Sequence, residues 1–233
     1  MGFAGWGPGL RATSPVTGAP YSALEVRTTQ QVLANGNVIA HQQQSNVYRD
    51  SMGRTRVETT VTRPDGQTVT RVMVTDPVAG VIRNIDARNK AVHEMALPSA
   101  SGQNGTTPRN RQGIRPNRSG SANLQTENLG VQTVNGLAAT GTRITHTIPA
   151  GAQGNSQAIQ SVRETWMSSD LQVPVMVKTS DARFGTMTMQ LTNIVRAEPD
   201  ASLFQVPAGY TVTEGRGRRG AFGPSNTGSS QQQ

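Results

Sequence analysis

The chain has 233 residues, with 22 Lys and Arg against 14 Asp and Glu, a formal net charge of +8 and no cysteine. The lack of cysteine excludes disulfide frameworks, thiolate metal sites and cysteine nucleophiles, and no run approaches the ~18 apolar residues of a membrane-spanning helix. With 34% hydrophobic and 4% aromatic residues, the core must be aliphatic, and the many Val and Thr residues favour strands over helices.

The positive charge lies outside the periodic parts of the chain. Its surplus comes from three segments without an acid, 1–19, 98–122 and 215–233. The remaining residues are balanced in charge, so they predict no basic face and no specific binding of nucleic acid. If the protein is secreted, arginines of the insert and tail predict weak contacts with an anionic surface such as lipopolysaccharide or exopolysaccharide. These are Arg109, Arg111, Arg115, Arg118, Arg216, Arg218 and Arg219.

The first half of the chain reads as a meander of short strands. Residues 1–19 are rich in Gly and Pro and predict a flexible lead, and their start has neither the charged nor the apolar region of a signal peptide. From residue 20 onwards, apolar and polar residues alternate as in half-buried strands. Asn35-Gly36 predicts a hairpin, and the Pro-Asp-Gly sequence at 63–67 predicts a second turn.

Residues 98–122 interrupt this pattern with Ser, Gly, Asn, Pro and Arg. A segment of this composition buries too little apolar surface to offset its ordering entropy, so it predicts a disordered insert or a domain boundary. Alternation resumes afterwards, with Asn135-Gly136 as a further hairpin turn. Asp200 predicts the N-cap of a single helical turn over 201–204, and the Gly, Arg, Ser and Gln residues at 215–233 predict a disordered tail.

These elements amount to about eleven strands and almost no helix. Two small domains would each leave unprotected sheet edges. We therefore predict an all-β fold with one β domain over 20–214, a single strongly curved antiparallel sheet or half-barrel interrupted by the insert at 98–122.

The second half also has a recognisable order of features, in which a strand ends in Trp, Leu-x-x-Pro begins the next strand, and Asp-x-x-Leu-Phe and Pro-x-Gly come last. The residues concerned are Trp166, Asp170, Leu171, Pro174, Gly185, Asn193, Ile194, Asp200, Leu203, Phe204, Pro207 and Gly209. This order resembles uncharacterised secreted bacterial proteins with the fold of the lipoprotein-localisation carrier, the LolA-like group. Residues 74–92 look like a hairpin of the same group. The resemblance covers roughly residues 20–97 and 123–214, without the helices that line the mouth of the carriers.

The resemblance implies a curved sheet with an apolar concave face and a periplasmic or secreted location. It suggests a non-enzymatic envelope protein that binds an apolar or amphipathic, lipid-like ligand. The alternative is a structural or matrix-type extracellular protein that acts through its sheet edges. We expect no catalytic residues, cofactor or metal, because His41, His93 and His146 each lack further ligands at metal spacing.

Several apolar residues are candidates for ligand contact, although filling of the core is the commoner role for such side chains. Met187, Met189 and Leu191 alternate along one face of a strand, and Pro174, Met176 and Lys178 are expected to share a face on its neighbour. Methionine adapts to irregular apolar surfaces. The segment at 198–210 is expected to lie across the apolar face, with Phe204 packed against both halves near Trp166. The predicted ligand-binding residues are Trp166, Met176, Met187, Met189, Phe204 and Tyr210.

Overall fold

The computed structural model describes residues 15–62, 65–98 and 123–215, which form strands and one turn of 3-10 helix. The first set of strands is β1 (Tyr21–Val32), β2 (Val38–Arg49), β3 (Thr55–Thr62), β4 (Thr68–Asp76), β5 (Val81–Asp86) and β6 (Ala91–Ala96). The second set is β7 (Leu124–Val134), β8 (Leu137–Ile148), β9 (Ile159–Ser168), β10 (Val173–Asp181) and β11 (Gly185–Val195). The 3-10 turn (Ala201–Phe204) and β12 (Thr211–Glu214) follow.

All of these strands belong to one sheet, in the order β12-β6-β5-β4-β3-β2-β1-β11-β10-β9-β8-β7. Two antiparallel meanders, β1–β6 and β7–β11, meet where β1 pairs with β11, from Ser22–Val195 to Gln30–Thr186. The prediction of an all-β fold with a single curved sheet is therefore confirmed. The predicted insert beyond Pro98, the lead up to residue 14, the tail from 216 and the seven arginines named above lie outside the described residues.

The strand count is twelve within the described ranges, one more than predicted. The missed strand is β12, which pairs in parallel with β6 through Thr211 N to Lys90 O at 2.9 Å and Gly215 N to Glu94 O at 2.7 Å. All four of its residues are exposed. A strand without a buried face has no alternation of apolar and polar residues to reveal it.

Hairpin turns lie where the sequence predicts them. Asn135 and Gly136 have φ angles of 49° and 84°, which is the left-handed pair that a two-residue type I′ hairpin requires. The Asn135 side chain also donates through Nδ2 to the carbonyl oxygen of Leu191 at 2.6 Å. Since β9 and β10 separate β8 from β11 in the sheet, this contact requires strong curvature.

Buried apolar side chains form two clusters. The first joins both meanders and consists of Tyr21, Ala23, Val47, Val57, Val134, Leu137, Ala139, Trp166, Leu171, Val175 and Leu191. In this cluster the Trp166 ring lies so close to Gly141 that a Cβ at that position would be 2.6 Å from it. The second cluster consists of Val74, Ile85, Val92 and Phe204.

Residues 198–210, which we name the closing segment, complete the second cluster. The Asp200 carboxylate accepts from Ser202 N at 2.8 Å, which confirms the predicted N-cap. Phe204 is 2% exposed, as expected. Its expected neighbourhood is wrong, however, because it packs on the β1–β6 meander whereas Trp166 belongs to the first cluster. The chain after β11 crosses the first meander to bring β12 to β6, and this path determines which strands Phe204 covers.

Candidate ligand-binding face

Two rows of side chains cross the centre of the sheet on one face. Directly opposite residues of neighbouring antiparallel strands project to the same side. The first row is Arg27, Met189, Val177 and Thr165, and the second is Thr29, Met187, Thr179 and Arg163. We name the surface formed by Arg27, Met187, Met189, Val177, Thr179 and Arg163 the methionine face.

The methionine face is the more enclosed side of these strands. Val177 is 2% exposed, whereas Lys178 beside it, which projects to the opposite side, is exposed. In β1, Arg27 is half-buried and Thr28 is exposed. The described 3-10 turn packs elsewhere, in the second cluster. Met187 and Met189 are half-buried and belong to neither core cluster.

The other predicted ligand-binding residues lie elsewhere. Met176 is opposite both Gln190 and Trp166 in the sheet, so these side chains project away from the methionine face. Met176 and Trp166 contribute to the first cluster, and Phe204 and Tyr210 to the second. The structure therefore brings together Met187 and Met189 and separates them from the remaining four.

A β-bulge in β10 explains part of this difference. The register between β10 and β9 shifts between Pro174 and Met176, where Pro174 is opposite Met167 and Met176 is opposite Trp166. Since Met167 and Trp166 are consecutive in β9, they project to opposite sides. The expectation that Pro174 shares a face with Met176 and Lys178 is therefore wrong for Pro174, while Met176 and Lys178 do share one. The sequence analysis did not single out Val177 and Thr179. They lie beyond the bulge, where side chains alternate strictly between the two faces, and this alternation could have identified them.

Polar groups lie among the apolar side chains of the methionine face. Arg27 Nη2 donates to Glu25 Oε1 at 2.8 Å, and Arg163 Nε donates to Thr165 Oγ1 at 3.4 Å. Burial lowers the pKa of the Arg163 guanidinium from its ordinary value, because a less polar environment disfavours the charged form. Thr179 Oγ1 is buried and has no hydrogen-bond partner among the described residues.

A polar cleft of about 320 Å³ adjoins this face at the end of β1 and the β10–β11 hairpin, lined by Gln30, Gln31, Val32, Ser180, Asp181 and Arg183 among others. The carboxylate of Asp181 accepts from Arg183 Nη2 at 2.8 Å and from Nε at 3.0 Å. These hydrogen bonds hold the pKa of Asp181 below its ordinary value. Because Asp181 and Arg183 already pair with each other, the cleft offers polar rather than charged contacts at the rim of the methionine face.

The histidines do not converge. His41 is exposed, His93 Nδ1 lies 2.9 Å from Thr213 Oγ1, and His146 is opposite Ser161. Within the described ranges, no three His, Asp or Glu side chains are grouped so that they could hold a metal ion. No helix in the described part of the chain is long and apolar enough to cross a membrane.

Comparisons with known proteins give structural likenesses only, since no family model and no curated protein matches the chain. An uncharacterized conserved protein from Thermus thermophilus is 11% identical, with a TM-score of 0.44 over 84% of this chain and 90% of that one. The Mycobacterium tuberculosis lipoprotein LppX is 15% identical, with a TM-score of 0.33 over 78% of this chain and 90% of that one.

A third structure is a domain assigned to outer membrane lipoprotein sorting in Vibrio parahaemolyticus. It is 9% identical, with a TM-score of 0.25 over 78% of this chain and 88% of that one. The fold group that the sequence resembles is thus represented among the structural matches. At these identities and TM-scores the likeness concerns the fold alone.

Proposed function

We propose that this protein is a non-enzymatic binder of an apolar or amphipathic, lipid-like ligand, and that it works in the periplasm or outside the cell. The methionine face is the proposed binding surface. The observation that carries the proposal is that Met187 and Met189 are half-buried on the more enclosed side of the sheet, outside both core clusters.

Side-chain chemistry supports this assignment. Methionine side chains are unbranched and polarizable, so they adapt to an acyl chain of variable shape. Val177 provides a rigid apolar surface beside Met189, since it is opposite Met189 in the sheet and 2% exposed. A ligand that covers the two methionines removes their remaining apolar surface from water, which stabilises the complex by about 25 cal/mol for each Å² buried.

The alternative is a structural protein that acts through its sheet edges. Its best support is β7, an edge strand of the described sheet whose residues are mostly exposed, with Val131 at 72%. The β7 edge is nevertheless interrupted by a bulge between Asn128 and Gly130. Bulges and charged residues at an edge oppose strand addition, and Glu127 places a carboxylate beside this bulge. We therefore favour ligand binding.

Native mass spectrometry of the protein purified from its own host tests the proposal, with co-purified lipid as the expected result. Titration with a fluorescent acyl-chain probe then locates the site. We expect Met187→Gln/Met189→Gln to weaken probe binding about ten-fold or more, because two apolar contacts worth ~1 kcal/mol each are lost. The matched control is Met52→Gln/Met167→Gln, at positions that are 49% and 41% exposed. Absence of bound lipid together with no probe binding would refute the proposal.

A further inference from the structure

One stretch of β2 has a neighbouring strand on one side only. β2 pairs with β1 along its whole length, but β3 pairs with it only from Ser45–Thr59 onwards. Residues 60–62 of β3 pair with β4 and not with β2. The seven residues of β2 before Ser45, residues 38–44, are all exposed. Within the described part of the chain they form an unpaired sheet edge, which we name the β2 edge.

The hydrogen bonds of the β1–β2 hairpin determine which backbone groups face outwards from the β2 edge. Leu33 N donates to Asn37 O at 2.8 Å, so the odd-numbered residues of β2 bond to β1. Backbone groups alternate in direction along an antiparallel strand. The N–H and C=O groups of Val38, Ala40 and Gln42 therefore point away from β1, where a further strand can pair with them.

The β2 edge lacks the features that oppose strand addition at the outer edges of this sheet. Outer strand β7 has a bulge and a carboxylate at Glu127, and outer strand β12 is four residues long and ends in Glu214. The β2 edge contains no proline and no Asp, Glu, Lys or Arg. Its register with β1 is unbroken. A long, regular and uncharged edge is the kind that pairs with another chain.

The position of β3 limits how a second copy of this chain can pair with the β2 edge. An antiparallel pair about a two-fold axis makes every contact twice, so one edge serves both partners. The hairpin tip of the copy must end before Ser45, where β3 pairs with β2. An axis at Ala40 places that tip, residues 35–36, opposite residues 44–45, whereas an axis at Ile39 places it opposite residues 42–43. The axis at Ile39 therefore gives the longest overlap that avoids β3.

This register brings the apolar residues of the hairpin together. Ile39, which is 39% exposed, meets its own counterpart at a non-hydrogen-bonded position, where opposite side chains are closest. Val38 lies opposite Ala40 of the copy, and the two residues exchange backbone hydrogen bonds on both sides of the axis. On that face of the pair, Val32 adds a third apolar side chain, since it is opposite Val38 in the hairpin and 65% exposed.

We infer that two copies of this chain associate through the β2 edge, in an antiparallel pair about a two-fold axis at Ile39. The contact is short, so the dimer belongs to the weak class of interfaces that bury less than ~1,200 Å² and forms as the concentration rises. Ile39 and His41 project to the same side as Thr29 and Met187. Because the axis is perpendicular to the sheet, the dimer places both methionine faces on the same side.

Disulfide trapping tests the register, because the chain has no cysteine of its own. Ile39→Cys should form a covalent dimer under mild oxidation, since Cα atoms at such a position are ~4.5 Å apart, within the range that a disulfide spans. Gln43→Cys is the matched control on the same edge and the same face. Residue 43 is four positions from the axis in each copy, so the two thiols lie about 27 Å apart and should not cross-link.

Sedimentation velocity of the full chain tests association itself. We expect the sedimentation coefficient of the parent to rise with concentration towards that of a dimer. Ile39→Lys should remain monomeric over the same range, because like charges directly opposite each other destabilise a strand pair. Val131→Lys, at a position of β7 that is 72% exposed, is the control and should associate like the parent.

Two results would overturn this inference. One is a parent chain that stays monomeric at every concentration, and the other is equal cross-linking of Ile39→Cys and Gln43→Cys, which would indicate random collision. Both measurements are made without lipid, so neither result bears on the proposed ligand.

Discussion

At the scale of single residues, buried charges are matched by backbone carbonyls and aromatic rings. Arg49 is 3% exposed and donates to Ala19 O at 2.9 and 2.6 Å and to Leu171 O at 2.6 Å. Its guanidinium also lies 4.9 Å from the centre of the Tyr21 ring. Since a buried charge without partners is strongly unfavourable, these contacts connect the lead, β2 and the turn before β10.

Asp181 makes the stability of the protein depend on pH. Hydrogen bonds from the Arg183 side chain lower the pKa of Asp181 below its ordinary value of 3.8. Its stabilisation is therefore fully present above the ordinary, unfolded-state pKa and is lost as pH falls through the lower folded-state pKa. We expect Asp181→Asn to be less stable than the parent at neutral pH and to lose less free energy of unfolding on acidification.

Urea denaturation at a series of pH values measures this difference. Asp65→Asn, in an exposed turn, is the matched control and should follow the parent protein throughout. Identical acid profiles for Asp181→Asn and the parent would mean that the Asp181–Arg183 pair contributes nothing to folding.

At the scale of elements, the closing segment is attached to the first meander by polar contacts around an apolar anchor. Arg56 Nη1 donates to Leu203 O at 2.7 Å, and Glu198 accepts from Ser51 N at 3.1 Å. The Arg54 guanidinium lies 5.2 Å from the centre of the Phe204 ring. These contacts orient the segment, and Phe204 is its one buried residue.

Phe204→Ala tests the anchor. We expect a loss of ~3–5 kcal/mol in the free energy of unfolding, because removal of a buried Phe leaves a cavity beside Val74, Ile85 and Val92. Phe184→Ala is the control, since Phe184 is 45% exposed and its contact with Arg183 is worth less than about 1 kcal/mol. Chemical denaturation compares the two, and similar losses would show that the closing segment is an appendage.

At the scale of the whole molecule, the meanders are joined by the pairing of β1 with β11. At one end of this junction Gly185 has a φ of 86°, and a Cβ there would lie only 2.2 Å from Gln30 O and 2.9 Å from Gln31 Cα. The backbone of β1 therefore leaves no room for a side chain at this position.

Gly185→Ala is expected to disrupt the pairing of β1 with β11 at this end of the junction. Gly136→Ala is the matched control, because Gly136 has a φ of 84° and open space around its Cα. Both variants incur the left-handed strain of about 1–2 kcal/mol. We expect Gly185→Ala to lose clearly more stability in chemical denaturation and to speed hydrogen exchange of β1 and β11. Equal losses would mean that the junction adjusts without cost.

Local features were predictable from the sequence, and non-local ones were not. The hairpin at Asn135-Gly136 and the cap at Asp200 depend on neighbouring residues, so sequence spacing was sufficient. The parallel pairing of β12 with β6 joins residues far apart in the chain, and its exposed side chains show no pattern. On the methionine face, alternation was sufficient to place Met187 and Met189 together. Thr179 and Arg163 continue the row of Met187 across β10 and β9, and alternation within one strand could not predict this because it depends on strand register.

The pairing of β1 with β11 delays completion of the sheet during synthesis. The ribosome makes β1 first among the described strands. Its partner on one side, β2, follows at once, but β11, its partner on the other side, is made only after β7–β10 have been translated. At ~5–20 residues per second, the open side of β1 waits on the order of ten seconds for that partner. During this interval that edge of β1 presents unpaired backbone groups, with which a strand of another nascent chain can pair.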